Sequence, residues 1–207
     1  MSGARPSTVL ALGDSYTIGE GVAASESWLA QLVRMLRARG VAVADPTIIA
    51  RTGWTTDELL AGIDSARLEC PYDLVTLLIG VNDQYRGGSA AEYRPRFREL
   101  LERAVKFADG NPTHVIVVSI PDWSVTPFAD GRDRGAIARA IETFNAANRE
   151  EAILRGARYV DITHSSRAAA DDPDLLAADG LHPSADMYDD WGRLVCPTAV
   201  EILVDSH

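Results

Sequence analysis

Five short apolar, β-branched runs recur along the chain, at residues 8–12, 47–50, 74–79, 114–120 and 158–162. Each has strand length and is nearly continuous in apolar character, the pattern of strands buried on both faces. Between them the period changes to that of a helix. Trp28, Leu29, Leu32, Val33 and Leu36 fall on one helical face, and so do Tyr93, Phe97, Leu100, Leu101 and Ala104. Thr55-x-x-Glu58 and Ser89-x-x-Glu92 fit the capping box that satisfies orphan amides at a helix start. Further helices are predicted over about 90–108 and 134–155 and from 184 onward. The last should turn Met187, Trp191, Leu194 and Val195 inward and be kinked or ended by Pro197. This alternation predicts an α/β fold: a three-layer α/β/α sandwich around a five-stranded parallel sheet, with right-handed crossovers. Residues 121–133 and 163–183 lack periodicity, and loops of that length are often functional.

Composition narrows the picture. A chain of 207 residues that is 46% hydrophobic and 24% charged can bury a sizeable core. Its length suggests a single domain over 1–207. Twenty Lys and Arg against thirty Asp and Glu leave a net charge of −10, which repels nucleic acid phosphates and anionic lipid. Nucleic acid is therefore not an expected partner. The two cysteines, Cys70 and Cys196, are too few for a disulfide scaffold and lack C-x-x-C spacing, so both are expected reduced and buried. No stretch reaches the ~18 apolar residues of a membrane span, and residues 1–6 carry no apolar leader segment. A cytoplasmic location is the expectation.

Ligands of parallel α/β sheets bind at the carboxyl ends of the strands. Gly13-Asp14-Ser15 follows the first predicted strand, Gly53 the second, and Gly80-Val81-Asn82-Asp83 the third; Asp179-Gly180-Leu181-His182-Pro183 lies in the long segment after the fifth. A serine hydroxyl becomes a nucleophile when a histidine can take its proton, and a carboxylate fixes that histidine's tautomer. Three residues apart, Asp179 and His182 can supply the pair, with Nδ1 toward the carboxylate and Nε2 toward Ser15. Donors for an oxyanion are the Ser15 N–H, the Gly53 N–H and the Asn82 side-chain amide. Taken alone, each segment also reads as a plain turn or helix cap.

These four segments, in this order, resemble the nucleophile, second, G-x-N-D and D-x-x-H blocks of the SGNH hydrolases, also called GDSL esterases/lipases. They span most of the chain. Tyr16 departs from the family, standing where the name-giving motif has Leu. The resemblance implies a flavodoxin-like sandwich and metal-free ester hydrolysis. Ser15 would be the nucleophile, His182 the base and Asp179 its orienter; Ser15, Gly53 and Asn82 would form the oxyanion hole. Neither cofactor nor metal is expected, and the partner is a small-molecule ester.

Rival readings are thinner. His164 follows the fifth strand directly and has only Asp161 near it as a partner; His114 and His207 are structural or terminal. Asp171, Asp172, Asp174, Asp186, Asp189 and Asp190 crowd the C-terminal third without EF-hand or H-E-x-x-H spacing. Gly19-Glu20-Gly21-Val22-Ala23-Ala24 fits G-x-G-x-x-A but begins several residues past its strand. Ile18, Trp54, Tyr85, Trp123 and Phe128 are candidates to line the substrate pocket. Without an amphipathic lid, short-chain or acetyl esters are expected, with carbohydrate O-acetyl esters, lysophospholipids and thioesters as alternatives. A catalytically inert binding module or a flavin or nucleotide binder is the reading from another class.

Overall fold

In a computed structural model, which describes residues 5–205, all five expected strands form one parallel sheet. They are β1 (Val9–Gly13), β2 (Thr47–Ala50), β3 (Leu74–Leu78), β4 (Val115–Val118) and β5 (Arg158–Val160). Their order is β2-β1-β3-β4-β5, the flavodoxin-like winding. Every residue of β1, β3 and β4 is buried, as their unbroken apolar character requires, whereas β2 and β5 are edges with partly exposed residues.

Helices cover both faces. α1 (Ser15–Ile18) is a single turn leaving β1; α2 (Trp28–Ala38) packs on the C-terminal α8 (Ala185–Asp205). On the opposite face α5 (Ala90–Phe107) lies between α3 (Thr56–Ser65) and α6 (Arg134–Arg155). α4 (Val81–Tyr85) and α7 (Thr163–Ser166) are short helices that follow β3 and β5. The apolar faces of α2 and α5 are buried as expected, and Thr55/Glu58 and Ser89/Glu92 close both capping boxes. A buried leucine such as Leu32 or Leu36 contributes about 1.5–3 kcal/mol by leaving water. Glu151 of α6 is also buried; Arg94, Arg98 and Arg155 surround its carboxylate, tying α5 to α6. Burial alone would raise that carboxyl, but the guanidinium groups outweigh it and hold it below its ordinary value.

Four local expectations are corrected. α8 continues through Pro197 to Asp205. Pro197 and Arg193, four residues before it, are both exposed, while buried Val195, Cys196, Ala199 and Ile202 hold the helix on either side. The inward face of α8 includes Met187, Trp191 and Val195 but not Leu194, which is 43% exposed. Cys70 is exposed, in the loop before β3; Cys196 is buried, and both are free. His114 ends a 3₁₀ turn (Pro112–His114) and so precedes β4 instead of opening it. His207 and residues 1–4 lie outside the described residues. Among the described residues no helix is long and apolar enough to cross a membrane.

Gly13 pairs with Ala50 on one side and Leu78 on the other. The carboxyl ends of β1, β2 and β3 are therefore level, and the loops leaving them emerge along one edge, at the switch point of the winding.

Candidate active site

The chain turns sharply at Gly13, where a side chain would overlap the Leu78 carbonyl and the Thr17 hydroxyl. Asp14 then caps α1, its Oδ1 accepting the Tyr16 N–H at 3.1 Å, and Ser15 opens the helix. Its hydroxyl faces His182, 3.0 Å from Nε2. His182 Nδ1 lies 2.6 Å from Asp179 Oδ2, while Asp179 Oδ1 accepts the backbone N–H groups of Leu181 and His182 at 3.0 and 2.9 Å. This turn makes the Asp179–His182 spacing effective: the carboxylate is held by the backbone that presents the imidazole. Desolvation pushes the Asp179 carboxyl up, yet the bonds from the His182 side chain and from both amides outweigh it and keep it below its ordinary value. An ionised Asp179 accepts a proton-bearing Nδ1, which leaves the Nε2 lone pair toward the Ser15 hydroxyl. The Tyr16 ring packs against the imidazole with centroids 5.3 Å apart.

Asp14 is in the opposite situation. It is wholly buried, its Oδ2 has no partner, and desolvation raises its carboxyl to about 8.

Across from Ser15, residues 51–54 form a turn closed by the Trp54 N–H to the Arg51 carbonyl at 3.2 Å. Gly53, at φ 82°, takes the third position, where a type II turn needs a left-handed residue. α4 grips this segment. Asn82 Nδ2 donates to the Trp54 carbonyl at 3.0 Å, and Thr56 donates its N–H (3.0 Å) and hydroxyl (2.6 Å) to Asp83. That carbonyl acceptor orients the Asn82 amide with its NH₂ toward the turn, and the second N–H remains available. Upstream, the Thr52 hydroxyl donates to Glu20.

A cavity of about 160 Å³ opens over Ser15 and His182 and reaches Gly53 and Asn82. Tyr85, Trp123 and Phe128 line it as well. Their ring centroids lie 5.6–5.9 Å apart in tilted and edge-on pairs, and the Arg132 guanidinium sits 5.1–5.5 Å from all three. Trp123 is anchored through Nε1 to Gln84 Oε1 at 2.8 Å.

The chain matches the GDSL-like lipase/acylhydrolase family over residues 11–189. It belongs to that family. A curated relative, GDSL lipase Rv0518 of Mycobacterium tuberculosis, is 31% identical over 188 residues, covering 87% of this chain and 76% of the relative. Among solved structures, TesA superposes with a TM-score of 0.73 at 22% identity, over 95% of this chain and 99% of that one. A lipase/acylhydrolase from Enterococcus faecalis gives 0.71 at 23%, over 95% and 97%. Axe2, an acetylxylan esterase from Geobacillus stearothermophilus, gives 0.70 at 18%, over 95% and 94%. At these identities the structures establish the GDSL fold for this chain.

All four GDSL-type segments thus converge on one cavity, and three of the five expected wall residues join them. Ile18 and Trp54 do not. Tyr16 takes the place beside Ser15, and Ile18 ends α1 outside the lining. The Trp54 indole lies on Gly62 of α3, whose missing Cβ leaves it a flat seat, so only its carbonyl faces the site. Tyr16, Thr52, Val81 and Leu181 also line the cavity; none was expected there from the sequence, although Tyr16, Val81 and Leu181 stand inside or beside the motif segments. Each is adjacent to a motif residue, which is the signal that could have found them. His164 is exposed on α7, away from the cavity, and among the described residues no group of three His, Cys, Asp or Glu side chains could hold a metal ion.

Proposed function

We propose that this GDSL-family protein is a serine hydrolase of short-chain or acetyl carboxylic esters. The supporting observation is the hydrogen-bonded chain from Ser15 Oγ through His182 to Asp179, at 3.0 and 2.6 Å. Ser15 Oγ attacks the ester carbonyl while His182 Nε2 takes its proton, and Asp179 steadies the imidazolium. The N–H groups of Ser15 and Gly53 and the uncommitted N–H of Asn82 bind the oxyanion. Collapse of the tetrahedral adduct breaks the bond to the alkoxy oxygen, which leaves with the proton from His182 as an alcohol. Water, deprotonated by His182, then cleaves the acyl-enzyme to acid and free Ser15.

Cavity size argues for a small acyl group, since about 150 Å³ is the space of one benzene ring. Acetylated sugars are the second reading. Tyr85 and Phe128 are 43% and 39% exposed at the mouth, flat faces on which a sugar alcohol could rest.

Hydrolysis of p-nitrophenyl acetate, butyrate and octanoate by the wild type and by folded Ser15→Ala tests the proposal. Activity that falls with chain length and disappears in the variant supports it. Equal rates in both proteins refute the nucleophile; inactivity of both on these esters and on acetylated sugars refutes the hydrolase reading.

A further inference from the structure

The two oxyanion donors outside α1 sit on different elements. Asn82 belongs to α4, and Gly53 belongs to the turn after β2. Their separation sets whether both can reach one oxygen, and glycine is the residue least able to hold its own backbone in place. One side chain spans the gap. Arg86, immediately after α4, donates from Nη2 to the Gly53 carbonyl at 2.7 Å. The same nitrogen lies 3.1 Å from Glu58 Oε2, and that carboxylate also accepts the Thr55 N–H at 2.8 Å. α4 and the residue after it therefore hold three points of the segment: Gly53 through Arg86, Trp54 through Asn82, and Thr56 through Asp83. Only the Arg86 contact bears on the glycine itself.

We propose that Arg86 is a positioning residue that fixes the Gly53 turn against α4 and so keeps the two oxyanion donors at a common distance. This rests on the hydrolase reading above. Arg86 is 52% exposed and lies outside the cavity lining, so it acts through Gly53 and not on substrate. Surface ion pairs of this kind contribute little to stability. Losing the contact should therefore leave the fold intact and lower the rate. A displaced donor weakens the bond that matters in the transition state, while ground-state binding is untouched.

The test compares the wild type with Arg86→Ala and Arg86→Lys, using p-nitrophenyl acetate kinetics, thermal melting and inhibition by a trifluoromethyl ketone, which mimics the tetrahedral adduct. Arg96→Ala serves as control; it removes a comparable surface pair, Arg96 with Asp57, without touching the turn. Arg86→Ala is expected to lose about tenfold in kcat with KM unchanged, and to bind the ketone about tenfold more weakly. Millimolar guanidinium should restore part of its rate, and Arg86→Lys, still able to donate to the Gly53 carbonyl, should keep most of it. Arg96→Ala should match the wild type. Wild-type kcat in Arg86→Ala, or a raised KM at constant kcat, would overturn the inference, as would an equal loss in Arg96→Ala. If circular dichroism shows Arg86→Ala unfolded, Arg86→Gln is judged on the same readouts. A wild type inactive on p-nitrophenyl esters and on acetylated sugars alike sinks the hydrolase reading itself and this inference with it, an outcome distinct from active protein insensitive to Arg86.

Discussion

Ser15 and His182 are 5% and 7% exposed, and both are held by hydrogen bonds whose direction is set by backbone turns. Across the same cavity, Tyr85 and Phe128 are 43% and 39% exposed and meet two rings, Trp123 and each other, and one guanidinium. The difference is one of force. Hydrogen bonds fix atoms to a few tenths of an ångström and weaken steeply off axis. Apolar contact is non-directional and follows area. The polar half is therefore built for one geometry, whereas the aromatic half can change residues and still enclose a cavity. Chemistry should be intolerant of substitution on the first side, and substrate preference adjustable on the second.

The largest break in that contrast would be a polar half that tolerates change. Ser15→Ala or His182→Ala should lower kcat by about 10⁴- to 10⁶-fold in protein that circular dichroism shows to be folded. Next, Asn82→Ala should cost about 10²- to 10³-fold in kcat, and Asn82→Asp more, because an acceptor then faces the oxyanion. A near wild-type kcat in Asn82→Ala would remove Asn82 from the donor set.

Smaller, and confined to stability, is the effect of Asp14. Its carboxyl, raised to about 8 by burial, keeps a proton in the folded chain that the unfolded chain releases above about pH 4. Stability from this group therefore falls as pH rises from about 4 to about 8 and then levels off. Asp14→Asn keeps an acceptor for the Tyr16 N–H and removes the titration. Unfolding free energies from urea titrations at pH 5 and pH 8 should differ less in the variant, by roughly 3–4 kcal/mol. An unchanged pH dependence would mean that Asp14 is ionised in the fold.

The smallest effects belong to the wall. Trp123→Ala should raise kcat/KM for the octanoate relative to the acetate by about tenfold while acetate turnover changes little, since the cavity deepens at its buried aromatic side and the reacting groups stay put. A loss of acetate turnover as large as that of Asn82→Ala would erase the distinction between the halves.

The same division separates what was legible in the sequence. α6 runs over Arg134–Arg155 as its periodicity predicts, and both capping boxes form, because a helix face and a cap are set by residues within four positions of each other. Ser15 and Asn82 were legible as chemistry because each follows a strand in a short motif, and Asp179 and His182 because their three-residue spacing pairs a carboxylate with an imidazole. The wall was read only in part. Nothing near Trp54 in the chain says that its indole will rest on Gly62, eight positions on and across the turn into α3. Pro197 misled for a related reason: its local cost is real, but the packing of α8 on α2 and the sheet outweighs it.

The sequence by itself determined the alternation of strands and helices, the parallel sheet, and which residues stand at the carboxyl ends of the strands, since these depend on period, cap and turn chemistry over a few residues. Only the tertiary structure decided that Tyr16, Thr52, Val81 and Leu181 share the cavity with Tyr85, Trp123 and Phe128, that Ile18 and Trp54 do not, and that Arg86 reaches Gly53. Such contacts join separate segments of the chain, 33 residues apart in the case of Gly53 and Arg86, and long-range packing is set by the shapes of many side chains at once.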